Sequence, residues 1–221
     1  SIADDRMRRI REAIRVGYVS NETNSQIMAR IRGTRALRYS DGIIEIDRRS
    51  LRSVVNTAVS HTAATARGEF YRANMKLIAA EQWVSTLDSR TTHICQARDG
   101  KRYTADAHKP IGHDLPWLGG PGRAHFNCRS TSVPVTRSWK DLGIDMPEFS
   151  PATRASMDGQ VPADLTYGEW LQRQSAARQD EILGPARGRM MRSGALPWDQ
   201  MFDRRGRWLT LAQLQARGVT P

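Results

Sequence analysis

For about its first third the chain places apolar residues at helical intervals. Asp4 to Val16 reads as a helix with Met7, Ile10 and Ile14 on one face, and Gly17 as its stop. A second helix carries Ile27, Met28 and Ile31, with Ser20 or Asn24 as its cap and Gly33 as its end. Ser40-Asp41-Gly42 is a turn signal, and Ile43 to Ile46 reads as a short strand or an extended lead-in. Asp47 is then placed to cap the longest helix, Arg48 to about Met75, with Leu51, Val54, Val55, Ala58, Thr62 and Ala66 at helical spacing.

The period then changes. From Gln82 to Leu87, Trp83, Ser85 and Leu87 fall on one side and Val84 on the other, which predicts a half-buried strand. Asp99-Gly100 followed by Lys101-Arg102-Tyr103 predicts a hairpin, and the prolines and glycines from Pro110 to Gly122 a loop. Arg129 to Val135 is β-rich up to Pro134, which suits an edge strand. Asp141 to Asp164 has three prolines and little periodicity, the pattern of a linker. Thr166 opens a capping box with Glu169. Trp170, Leu171, Ile182 and Leu183 then anchor a helical tail, interrupted at Gly184-Pro185. The fold class is α+β: a helical first part packed on a small β-hairpin core, with a helical tail wrapping back.

At 221 residues the chain is long enough to fold without staples. No apolar run of about 20 residues is present, so no membrane span is expected. No signal peptide is visible, and the opening Ser1 suits a processed or trimmed piece. Charge changes the picture more: 34 basic residues against 23 acidic give +11, and only Lys76, Lys101, Lys109 and Lys140 are lysines. Arginine's planar fork pairs with phosphate, so a polyanion partner, nucleic acid first, is the natural expectation.

Candidate chemistry concentrates between Trp83 and Val135, which holds both cysteines and four of the five histidines. His125-x-x-Cys128 is a short ligand pair. Cys95 supplies a third donor, and His93, His113 or Asp88 a fourth, a set that suits tetrahedral zinc. A Cys95–Cys128 disulfide and two buried free thiols remain open beside it. His113-Asp114 with Asn127 faintly resembles a ββα-metal nuclease, but no helical ligand follows Asn127. A Cys–His nucleophile is possible on inventory alone. Asp88, Arg90, Thr91 and Asn127 sit around turns, where short polar side chains bind backbone amides. They are expected to tie the Leu87 end of the strand to the Asn127 loop. Arg129 is expected to pair with Asp88 or Asp99.

Two blocks carry a family resemblance. One runs Trp83-Val-Ser-Thr-Leu-Asp-Ser-Arg-Thr-Thr92, Cys95, Asp99-Gly-Lys-Arg-Tyr103 and His125-Phe-Asn-Cys-Arg-Ser130. The other is Tyr167-Gly-Glu-Trp-Leu171, Asp180-Glu-Ile-Leu-Gly184, Arg187, Gly194 and Leu209-Thr-Leu-Ala-Gln-Leu214. Together they resemble the phage Mu F-like minor head, or head-morphogenesis, proteins of tailed bacteriophages. Many of these carry Cys-Arg-Cys where this chain has Cys128-Arg129-Ser130, and others a cysteine near Thr92; both extra thiols would be zinc ligands.

Taken with the residue pattern, the resemblance implies a helical region over 1–79, a Mu F-like β-rich core over 80–136, a linker over 137–165 and a helical segment over 166–221. It implies a structural, non-enzymatic protein of the virion. Such a protein is assembled in the host cytoplasm and sits inside the capsid near the portal vertex. Its partners would be the portal protein, other head proteins and double-stranded DNA without sequence preference, with which it could be ejected. The alternatives are a metal-dependent nuclease or effector delivered with the DNA, and a stand-alone DNA-binding module.

Overall fold

The computed structural model describes residues 2–147 and 152–219, without the side chains of residues 2, 3, 6, 18, 24, 44–52, 54 and 55. The protein is α+β, and its contacts divide into two compact units, Ser1–Ala58 and Val59–Pro221.

In the first unit α1 (Ile2–Val19) packs on α2 (Asn24–Arg32), and α3 (Ile43–Ala73) begins. The seam differs from the expected Met7–Ile10–Ile14 face. Ala13 and Gly17, one turn apart, are buried, while Met7 and Ile14 are each 47% exposed. Gly17 does not stop α1. A Cβ there would lie 2.4 Å from Ile27 Cγ1, so the glycine lets α2 approach closely. The cap of α2 is Thr23, not Ser20 or Asn24, because Gln26 three residues on completes a capping box. Its Oε1 accepts from Thr23 N–H at 2.7 Å. Asp41 accepts from Thr34 N–H at 2.8 Å and from its hydroxyl at 3.0 Å, which folds the 34–41 loop on itself.

Ile43 to Ile46 is helical, not extended. A strand needs a ladder partner, and none of the described strands pairs with this run. Gly42 is pressed against the end of α2, where a Cβ would meet Arg32 O at 2.2 Å, and the chain leaves that contact directly into α3. Asp47 therefore lies inside α3 rather than at its start. Its side chain, and those of Leu51, Val54 and Val55, fall outside the described residues.

The second unit is built on a four-stranded antiparallel sheet. Its strands are β1 (Ile78–Val84), β2 (Arg102–Thr104), β3 (Pro110–Ile111) and β4 (Thr131–Thr136), in the order β3-β2-β1-β4. Pro134 lies in β4 at the sheet edge, opposite Glu81. The alternation after β1 starts holds: Trp83, Ser85 and Leu87 are buried and Val84 is less so. Tyr71, near the end of α3, donates its hydroxyl to Ser132 O at 3.0 Å and docks the helix on β4.

No tight hairpin forms at Asp99-Gly100. A short helix, α4 (His93–Arg98), is inserted between β1 and β2, and the strands meet through Gly100 N–H to Trp83 O at 2.8 Å. The stretch read as a linker contains a second two-stranded sheet, β5 (Thr153–Ser156) and β6 (Gly159–Pro162), turned at Met157-Asp158.

The tail forms α5 (Tyr167–Gln172), α6 (Ala176–Leu183), α7 (Pro185–Arg192), a 3-10 turn at Trp198–Met201 and α8 (Leu211–Gln215). The Thr166–Glu169 capping box is present, and Pro185 opens α7 at its first turn rather than only ending α6. Tyr167, Trp170, Leu171, Leu183, Met190, Met201 and Leu214 close on Leu87 and Ala97 as one core cluster. Each such side chain stabilises by about 1.5–3 kcal/mol through burial, before ordering entropy.

Candidate functional site

The loop after β1 is built around Asp88. Arg129 forks onto its carboxylate at 2.6 and 2.9 Å, and Arg90 N–H donates at 3.1 Å. Thr91 donates its hydroxyl to Thr86 O at 2.6 Å and lies 3.0 Å from the same carboxylate. Tyr167 OH reaches Asp88 O at 2.7 Å. Burial alone would raise the Asp88 carboxyl, but Arg129, Thr91 and the Arg90 amide outweigh it and hold it below its ordinary value. Asn127 turns the chain in the left-handed region, φ 56°, which asparagine tolerates better than most residues. That turn brings Cys128 N–H to His125 O at 3.2 Å.

The same turn delivers His125 and Cys128 to Cys95 on α4. The two Sγ atoms are 3.7 Å apart, and His125 Nε2 is 3.2 Å from Cys95 Sγ. Both cysteines are free thiols, at 2% and 1% exposure. Gly122 N–H donates to Cys128 Sγ at 3.3 Å, and His125 Nδ1 lies 2.8 Å from Phe126 O. Cys95 beside it lowers the Cys128 thiol, against burial and with His125 and the Ser130 and Gly122 amides helping. The Cys95 thiol is raised by Cys128 and by burial, and His125 is raised by Cys128 against burial.

His93, the expected fourth donor, is not in this group. The cluster whose donor atoms all lie within 4.8 Å of one another comprises Cys95, His125 and Cys128 among the described residues. Two residues before Cys95 on α4, His93 instead packs on Trp208 with ring centroids 5.7 Å apart. Asp88 is taken by Arg129. His113 places Nε2 2.9 Å from Arg102 O and receives Leu115 N–H on Nδ1 at 3.1 Å, so both ring nitrogens hold the 110–122 loop. His108 stacks on Trp117 and lies 3.3 Å from Glu81. Thr92, His93, His125, Phe126, Glu181 and Trp208 are among the residues lining an open cleft of about 450 Å³.

A family description, phage Mu protein F like protein, matches residues 7–133, more than half of the chain. The chain belongs to that family. No curated protein and no solved structure matches it. Membership indicates a part in bacteriophage head morphogenesis, a place in the virion capsid and other head proteins as partners. Among the described residues no helix is long and apolar enough to cross a membrane.

The matched Mu F-like segment begins inside α1, takes in nearly all of the sheet, Asp88 with Arg129, and the sulfur cluster, and ends inside β4. The second resemblance block, Tyr167 to Leu214, lies beyond it. So does a residue that sequence reasoning missed, Arg154 on β5. Its guanidinium forks onto Asp99 at 3.0 Å for both bonds, donates to Leu165 O at 3.2 Å, and also reaches Ser85 O. Asp99 in turn accepts from Ser85 N–H at 2.6 Å and Tyr167 N–H at 2.7 Å. This side-chain pair is 0% and 9% exposed, and it ties the Mu F-like core to the β5–β6 hairpin and α5. Burial pushes the Asp99 carboxyl up, opposed by Arg154 and the two amides.

Proposed function

We propose that the chain is a minor head protein that sits inside the capsid at the portal vertex, contacts packaged double-stranded DNA without sequence preference, leaves with it at ejection, and performs no catalysis. The reading is carried by where the arginines lie. Residues 1–58 hold twelve arginines against seven acidic residues. Arg8, Arg11, Arg15, Arg30, Arg32, Arg35 and Arg38 are exposed along α1, α2 and the loop after them. Guanidinium groups on that spread of positions meet backbone phosphates and read no base edge. Met28 and Leu37, at 60% and 57% exposure on the same stretch, offer apolar area for a portal or head partner to cover.

Cross-linking within mature heads, followed by mass spectrometry, tests it. DNA cross-links are expected within residues 8–38, with protein cross-links to the portal. Absence of the chain from purified heads, or cross-links to the outer shell alone, would contradict it.

A further inference from the structure

We propose that Cys95, Cys128 and His125 bind one zinc ion, whose fourth position is completed by a water held by the Thr92 hydroxyl at the edge of the cleft. The donor set is two thiols and an imidazole, the chemistry zinc prefers among divalent metals. Spacing supports it independently. Zinc–sulfur bonds of about 2.3 Å and zinc–nitrogen bonds of about 2.0 Å, set tetrahedrally, put two sulfurs about 3.8 Å apart and sulfur and nitrogen about 3.5 Å apart. The structure has 3.7 Å and 3.2 Å.

The surroundings are those of ligands already oriented. His125 Nδ1 faces Phe126 O at 2.8 Å, so Nδ1 carries the proton and Nε2 presents its lone pair to the sulfurs. Gly122 N–H points at Cys128 Sγ, a bond that suits a thiolate. Thr92 Oγ1 lies 2.9 Å from Nε2 and lines the cleft, so the open coordination position meets solvent on that side. Both sulfurs are buried, which leaves the cleft as the route of entry. The metal would cross-link α4 to the 125–128 turn, joining two segments that the matched family region contains. Binding displaces the protons of both thiols, and the ion takes their place as the cationic partner.

The full chain, purified under reducing, chelator-free conditions, is expected to carry one zinc per chain by elemental mass spectrometry. Cobalt(II) in its place is expected to give thiolate charge-transfer absorption and the visible bands of a tetrahedral site. His125→Ala is expected to lower zinc affinity by about 100-fold. Thr92→Cys, which puts a third sulfur at the open vertex, is expected to raise it by more than tenfold. Protein that stays metal-free in micromolar zinc while both thiols react freely, or that yields a Cys95–Cys128 disulfide and no metal, overturns the proposal. So does unchanged affinity in Thr92→Cys protein that folds normally. None of these outcomes depends on where the chain sits in the head, so failure here leaves the DNA reading untouched.

Discussion

The two units of the molecule use their sequence differently. In Ser1–Ala58, Ala13 is the one buried hydrophobic among the described residues, and Val19 stands 77% exposed. In Val59–Pro221, Trp83, Tyr103, Tyr167, Leu171 and Met201 are fully enclosed, and a buried carboxylate is matched by a buried guanidinium. One unit encodes a packed interior that encloses a buried ion pair, which specifies a fold. Among its described residues, the other shows two small residues at a helix seam and leaves arginines and apolar side chains outward, which suits a surface. Interior mutations should therefore register as stability, and first-unit mutations as binding.

The largest effect is expected at the buried ion pair. Arg154→Ala strands Asp99 in a site with no exposure, and should cost about 3–5 kcal/mol in denaturant unfolding. Melting unchanged from the natural chain would break the contrast between the units.

Asp88→Asn comes next. The carboxylate is 17% exposed but Arg129 is 40% exposed, so solvent weakens the pair, and about 1–2 kcal/mol is expected. Its pH dependence sharpens the point. The folded carboxyl titrates below its ordinary 3.8, so its contribution is full above that value and lost as pH falls through the lower folded one. Stability of the natural chain should fall more steeply below about pH 4 than that of Asp88→Asn. Parallel curves would show that the Arg129 fork contributes nothing.

Smaller still are the caps. Thr166→Ala, at the start of α5 in the packed unit, should cost about 1 kcal/mol. Thr23→Ala removes the same motif from α2 in the surface unit and should cost no more.

What the sequence announced was local. The Thr166 capping box rests on two residues three apart, and the Trp83–Leu87 alternation on five in a row; both could be read directly. Cys95, His125 and Cys128 were legible as a group because cysteine and histidine are rare and the returning loop had to bring them together. Arg154 was not. Nothing next to it in the chain distinguishes it from the other 29 arginines, and its partner Asp99 carries the dipeptide signature of an exposed turn. A pair 55 residues apart in the chain is a property of the fold. The β5–β6 hairpin went unread for a different reason: its strands are short and polar, and only Asp158-Gly159 marks the turn. Gly17 failed because a glycine that ends a helix and one that admits a neighbouring helix look alike until the neighbour is placed.

The smallest stability effect belongs with the largest binding effect. Replacing Arg11, Arg15, Arg35 and Arg38 together by glutamine should change unfolding by no more than about 0.5 kcal/mol per site, since all four are exposed. DNA binding by this variant and by the natural chain, titrated across a salt series, is the decisive comparison. Each phosphate contact contributes about 0.9 to the slope of log affinity against log salt. The natural chain is expected to show a steep slope, and the variant one shallower by about 2–4. A flat salt response in the natural chain, or the same slope in both, would contradict DNA contact through the first unit.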